Sequence, residues 1–170
     1  MSPINYIIVM GVSGCGKSTV AALLAQHLGW AFIEGDALHP PANVEKMSQG
    51  IPLTDADRLP WLQEIARTIQ NWRANGQPGV VACSALRRHY REIITGPEKD
   101  VRFAYLQGDF QLIKQRLATR QGHYMPVSLL ESQFSALEVP APDEPAMTLD
   151  VRGQAEGLVA EIISAFNLKI

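Results

Sequence analysis

An α/β fold is predicted, with a parallel sheet covered by helices on both faces, and two observations predict it. Short β-prone runs alternate with amphipathic stretches along the whole chain, which implies right-handed crossovers between parallel strands. The first run, Tyr6-Ile7-Ile8-Val9-Met10, passes directly into Gly11-Val12-Ser13-Gly14-Cys15-Gly16-Lys17-Ser18 and then into a helical pattern at Val20, Leu23, Leu24 and Leu28. Strand, glycine-rich turn, Lys, hydroxyl and helix together are the context of a phosphate-binding loop.

The first strand covers about residues 5–10 and the first helix residues 17–28, with Gly29 as its stop. Residues 31–34 form a short second strand. A polar stretch, 36–58, follows, with helical potential at 42–48. Pro60 fits a first helical position, and Leu62, Ile65, Ala66, Ile69 and Trp72 then recur at three- and four-residue steps toward Gly76. Val80-Val81-Ala82-Cys83 reads as a third strand, 85–94 as a short helix and 101–106 as a fourth strand. Asp109 caps a helix that carries Ile113 and Leu117. Ser128-Leu-Leu-Glu131 reads as a capping box. Residues 147–149 make the fifth strand, and an amphipathic helix from Ala155 to Phe166 closes the chain.

At 170 residues the chain is expected to be one domain, 1–170. A net charge of −2 argues against nucleic acid as the main partner. The apolar run near the N-terminus is too short for a signal peptide or a membrane span. Two cysteines give no disulfide framework, so a cytoplasmic location is expected. Cys15 lies inside the loop, where the helix dipole could lower its thiol pKa. A small residue filling a tight turn is the plainer reading.

The loop chemistry is local. Gly11, Gly14 and Gly16 let successive N–H groups converge on one concavity, and the helix beginning at Lys17 adds unpaired donors and the positive end of its dipole. Lys17 brings a full charge to the outer phosphates and Ser18 a hydroxyl for Mg²⁺. Val12, Ser13, Cys15 and Thr19 complete the nucleotide-binding stretch.

Ligands of such sheets collect beyond the carboxyl ends of the strands, so the polar segments there are the functional candidates. Asp36 follows the second strand and faces the loop, where a carboxylate can take a hydroxyl's proton or order a metal-bound water. A turn cap is the alternative. His39 alone reads as a solvated loop histidine. Among Arg87, Arg88 and Arg91 a guanidinium suited to a carboxylate is expected, against a basic surface helix. Arg120 opens a glycine-bearing loop and is expected to reach the transferring phosphoryl group. For Arg116 a solvent-facing helix position stays equally open.

With these segments assembled, the sequence resembles the gluconate kinase family of small P-loop kinases, related to shikimate and nucleoside monophosphate kinases. The matching stretches are GVSGCGKST from Gly11, GDALHP from Gly35, NVEKMSQGIPLTDADRLPWL from Asn43, CSALRRHYR from Cys83, YLQGDF from Tyr105, RQGHYM from Arg120 and QFSALEVP from Gln133. They span nearly the whole chain; the first is generic and the second to fourth are specific. Met125-Pro126 departs from the lid of some relatives.

The resemblance implies a P-loop kinase fold with a five-stranded parallel sheet and a small lid at about 120–137. The implied reaction is ATP plus D-gluconate giving 6-phosphogluconate and ADP with Mg²⁺, by a homodimer. The roles implied are Lys17, Asp36 and Arg120 in catalysis, and Arg116 with residues 11–19 on the nucleotide. Asp36, His39, Lys46, Arg58 and one of Arg87, Arg88 and Arg91, with Arg88 and Arg91 put forward, would bind the sugar acid. Mg²⁺ would sit on Ser18, the phosphates and waters, some ordered by Asp36. A GTPase should carry N-K-x-D, which is absent; Asp150-Val-Arg-Gly153 matches D-x-x-G only at the last strand. A shikimate kinase would want a glycine triplet where Cys83-Ser84-Ala85 stands. A non-enzymatic nucleotide-dependent regulator would consume no ATP in response to sugar acids.

Overall fold

The computed structural model describes residues 3–119 and 127–169. Five strands, β1 (Tyr6–Met10), β2 (Ala31–Glu34), β3 (Gly79–Ala82), β4 (Val101–Gln107) and β5 (Ala146–Asp150), form one sheet. Every pairing is parallel, in the order β2-β3-β1-β4-β5. The expected α/β architecture is therefore present, with β1 at the centre, where Tyr6 pairs with Gly79 on one side and Val101 on the other.

The helices are α1 (Lys17–Leu28), α2 (Pro41–Ser48), α3 (Asp55–Ala74), α4 (Arg88–Thr95), α5 (Phe110–Thr119), α6 (Val127–Ala136) and α7 (Ala155–Ala165). The period-two alternation of strand side chains divides the core into two layers. Ile7, Val9, Val80, Ala82, Ala104 and Leu106 pack with α1, α5, α6 and α7. Tyr6, Ile8, Met10, Val81, Phe103 and Tyr105 face the other way, onto Trp61, Leu62, Ile65 and Ile69 of α3 and Tyr90 and Ile94 of α4. Burial on both faces explains why β1 and β3 are wholly apolar runs rather than alternating ones.

Three boundaries differ from expectation. Helix α3 begins at Asp55, not at Pro60, because Thr54 and Asp57 form a capping box: the Thr54 Oγ1 accepts from Asp57 N, and Asp57 accepts from Thr54 N. Pro60 sits inside the helix and removes one ladder bond there. Helix α4 begins at Arg88, not at 85, since Ala85 has φ +46° and Arg87 is extended. Ser128 lies inside α6, which starts at Val127, so the box predicted at Ser128 does not start that helix. Asp109 does cap α5, accepting from Leu112 N at 2.8 Å. Among the described residues no helix is long and apolar enough to cross a membrane.

Candidate active site

The loop between β1 and α1 has the shape its glycines require. Gly14 takes φ +84° with Leu117 packed against its α-carbon, and Gly16, the residue before α1, takes φ +94°. A Cβ at either position would be strained, and at Gly14 it would also meet the leucine. Lys17 is only 5% exposed. Its Nζ lies 3.5 Å from Asp36 Oδ2. Burial opposes the ammonium charge, but Asp36 and Glu34 outweigh it, and the Lys17 pKa stands above the ordinary lysine value. The amine is thus held charged in a site shielded from water.

Val12 and Cys15 point into the core. For Cys15 the plainer reading fits, as the side chain fills the tight turn, whereas the lowered thiol pKa is corrected: burial pushes the thiol up and the dipole does not prevail. Cys83 is raised as well, by deeper burial. Thr19 lies in the first turn of α1 and is exposed. Ser13 is engaged across the site: its N–H donates to Gln133 Oε1 at 2.8 Å, and Gln133 Nε2 donates to Ser13 Oγ at 3.1 Å. Helix α6 is thereby laid against the phosphate loop.

Ser18 Oγ donates to Glu34 Oε2 at the end of β2. The other carboxylate oxygen, Glu34 Oε1, is buried with no hydrogen-bond partner among the described residues. An orphaned anionic oxygen beside the loop hydroxyl is the chemistry a hard cation requires. Sequence reading passed over Glu34 because a charged residue at a strand end is common; its place two residues before Asp36 was the available signal. Among the described residues no cluster of three or more metal-ligating side chains exists, so a cation here would take its remaining ligands from phosphate and water.

The acceptor side is built on the turn after β2. Asp36 lies in a 3₁₀ turn, Gly35–Leu38, whose first carbonyl accepts from Trp61 Nε1 at 2.8 Å. His39 stacks on Trp61 with centroids 4.1 Å apart and planes at 18°. Burial lowers the His39 pKa to about 4, with Asp36 opposing, so the ring is neutral at pH 7. Buried Asn43, which the motif reading did not single out, bonds the His39 ring. Lys46 holds Asp57 at 2.9 and 3.1 Å, tying α2 to the first turn of α3. Lys46 thus has a carboxylate partner within the chain while its side chain stays 41% exposed. Arg58 donates to Tyr90 Oη at 3.0 Å, and Tyr90 in turn donates to Asp55. His39, Arg58, Trp61, Ser84, Ser132 and Gln133 line one cleft.

The three arginines beyond β3 separate cleanly. Arg91 is 2% exposed. It grips Glu144 at 2.7 and 3.1 Å and donates to the carbonyls of Ala85 and Glu138. Four of its five N–H donors are taken and the side chain is buried, so the structure places Arg91 as a structural clamp rather than as a group open to the sugar acid. Arg88 is part-exposed and pairs with exposed Asp143. Among the described residues the buried Arg87 Nε has no partner. Arg91→Met should destabilise the fold by about 3–5 kcal/mol, since it strands the Glu144 carboxylate in a buried place. Thermal unfolding checks this, and turnover of the folded fraction should change little.

Arg116 is neither solvent-facing nor free: Nη2 donates to Val151 O at 2.8 Å, joining α5 to the turn after β5. Arg120 and the loop to Pro126 lie outside the described residues, so of the lid expected at 120–137 only α6 and Leu137 are described.

A family model described as an AAA domain matches residues 7–140. A gluconokinase of Gluconobacter oxydans is 48% identical over 96% of this chain and 92% of its own length. The crystal structure of a gluconokinase from Sinorhizobium meliloti superposes with a TM-score of 0.86 at 42% identity, over 98% of this chain and 94% of that one. An unliganded sugar kinase from Janibacter superposes with a TM-score of 0.92 at 41% identity, over 98% and 96%. A phosphate loop whose buried lysine meets the turn after β2, in a chain alike to these proteins over almost its full length, makes this protein a kinase that belongs to the gluconokinase family.

Proposed function

We propose that the protein transfers the γ-phosphoryl group of ATP to the terminal hydroxyl of D-gluconate, giving 6-phosphogluconate and ADP. The observation that carries this reading is the meeting of Lys17 and Asp36, 3.5 Å apart, beside a cleft lined with hydrogen-bonding groups. The loop amides and Lys17 bind the β- and γ-phosphates. Asp36 orients the acceptor hydroxyl and takes its proton as its oxygen bonds to phosphorus and the bond to the ADP oxygen breaks. Arg58 receives the carboxylate, with Arg87 beside it, and His39 meets the polyol chain. Arg120 and Arg116 serve the nucleotide side.

Ser18 and Glu34 are the groups that would hold Mg²⁺, with Asp36 ordering a water. When bound, the ion neutralises charge on the phosphate oxygens. The homodimer belongs to this reading on the resemblance alone, and the cytoplasmic location on the absence of a disulfide framework.

Coupled ADP release across a panel of sugar acids, with ATP and Mg²⁺, tests it. D-gluconate should raise ADP release far above the rate without acceptor, with 6-phosphogluconate as product. Equal ATP consumption with and without every acid would leave a nucleotide-dependent regulator instead.

A further inference from the structure

We propose that Asn43 is a positioning residue that locks His39 as a neutral imidazole with its proton on Nε2, so that the acceptor is read there through a hydroxyl oxygen. The proposal rests on the reading that the cleft takes a sugar acid. Asn43 is 3% exposed. Its Nδ2 lies 2.8 Å from the carbonyl oxygen of Asp57 and 3.1 Å from His39 Nδ1.

The assignment of this amide follows from chemistry. A backbone carbonyl only accepts, so the atom facing Asp57 O must be the NH₂ group and not the amide oxygen. That one nitrogen has two hydrogens and two partners. The second hydrogen therefore points at His39 Nδ1, which must present its lone pair. The ring proton is left on Nε2. Adding a proton at Nδ1 would set one N–H against another in a half-buried place. The ring cannot turn away, because its face is stacked on Trp61, itself 1% exposed and bonded to the Gly35 carbonyl.

Among the described residues His39 Nε2 has no hydrogen-bond partner, and the ring borders the cleft. What it offers is one uncharged donor at a fixed point. A carboxylate gains more from a guanidinium, which adds charge and a matched pair of donors, and Arg58 lines the same cleft. The division of labour follows: the carboxylate goes to Arg58 and a hydroxyl oxygen to His39. The same Asn43 amide fixes both, since Asp57 precedes Arg58 and is held in the first turn of α3 by Thr54 and Lys46.

Nitrogen-15 NMR of labelled histidine in the wild-type protein reads the tautomer without any variant. Nδ1 should show the shift of an unprotonated ring nitrogen and Nε2 that of a protonated one; the reverse, or a mixture, overturns the proposal. Asn43→Asp keeps the shape but presents acceptors alone, and should draw the proton to Nδ1. Its kcat/KM for gluconate should fall about 10- to 100-fold, while KM for ATP stays within about threefold. In a His39→Gln background, where an amide N–H stands in for Nε2–H, the same change should add less than about threefold. An equal added loss in both backgrounds would make Asn43 a scaffold residue only. A wild-type enzyme inert toward gluconate would end the substrate reading, and the NMR result would still decide the tautomer.

Discussion

Lys17→Ala is expected to lower turnover by about 10³- to 10⁵-fold, the scale reached when a full positive charge is removed from a transferring phosphoryl group. The buried position of Lys17 is the reason for so large an effect. Its ammonium is shielded from water, so the field it applies to the phosphates is weakly screened. Without it, Asp36 and Glu34 face the incoming phosphates with their nearest cation removed, and repulsion adds to the loss. ATP binding should weaken as well, but by less than turnover, because the loop amides and the start of α1 remain. The fold should tolerate the change, since the alanine relieves a buried charge and Asp36, 40% exposed, stays hydrated. Steady-state kinetics with thermal unfolding on the same preparation measures both. Turnover within tenfold of wild type would remove the phosphate-loop assignment.

Asp36→Asn is expected to reduce kcat by about 10²- to 10⁴-fold, the range of a positioned proton acceptor. The amide keeps the carboxylate's shape and loses its basicity. The structure sharpens the competing expectation that Asp36 is a turn cap. The cap position of the 3₁₀ turn is Glu34 rather than Asp36, and the charged partner of Asp36 is Lys17. The stability effect should therefore come from the buried lysine rather than from the turn. Asparagine leaves Lys17 with Glu34 alone as a nearby anion, and the nucleotide-free protein should lose stability. Saturating ATP or ADP, whose phosphates replace the missing charge, should restore it. Affinity for ATP should hold within about tenfold or improve. An Asn variant with near-normal kcat and a stability loss that nucleotide does not repair would refute the catalytic role.

Local signals carried the legible part of this molecule. Strand β1, the phosphate loop and α1 were readable because each depends on neighbours within a few residues: β-prone side chains, glycines at positive φ and a helix stop at Gly29. The starts of α3 and α4 were misread for opposite reasons. Asp57 replaces the usual Glu or Gln of a capping box, hiding the true start, whereas Ala85-Leu86 look helical but precede α4, with Ala85 left-handed and Arg87 extended. The roles of the arginines were not legible at all. Arg87, Arg88 and Arg91 have the same chemistry, and only the arrival of Glu138, Asp143 and Glu144 from a distant segment decides which is occupied. Asn43 was missed for a related reason. Its meaning depends on one amide meeting a carbonyl of α3 and a ring of the preceding turn at once.

The central position of β1 has a consequence for how the protein is made. The phosphate loop leaves the ribosome before β3 and β4, the neighbours of the strand to which it is attached. Parallel pairing of this kind closes long loops before it is rewarded, which slows folding. Until Val101–Gln107 has emerged, β1 has an open edge of wholly apolar residues, and its nucleotide loop has no rigid base. The nascent chain should therefore acquire affinity for ATP late and abruptly, once β4 docks. Chains that stall before that point carry the exposed strand edge that draws chaperones and seeds aggregation.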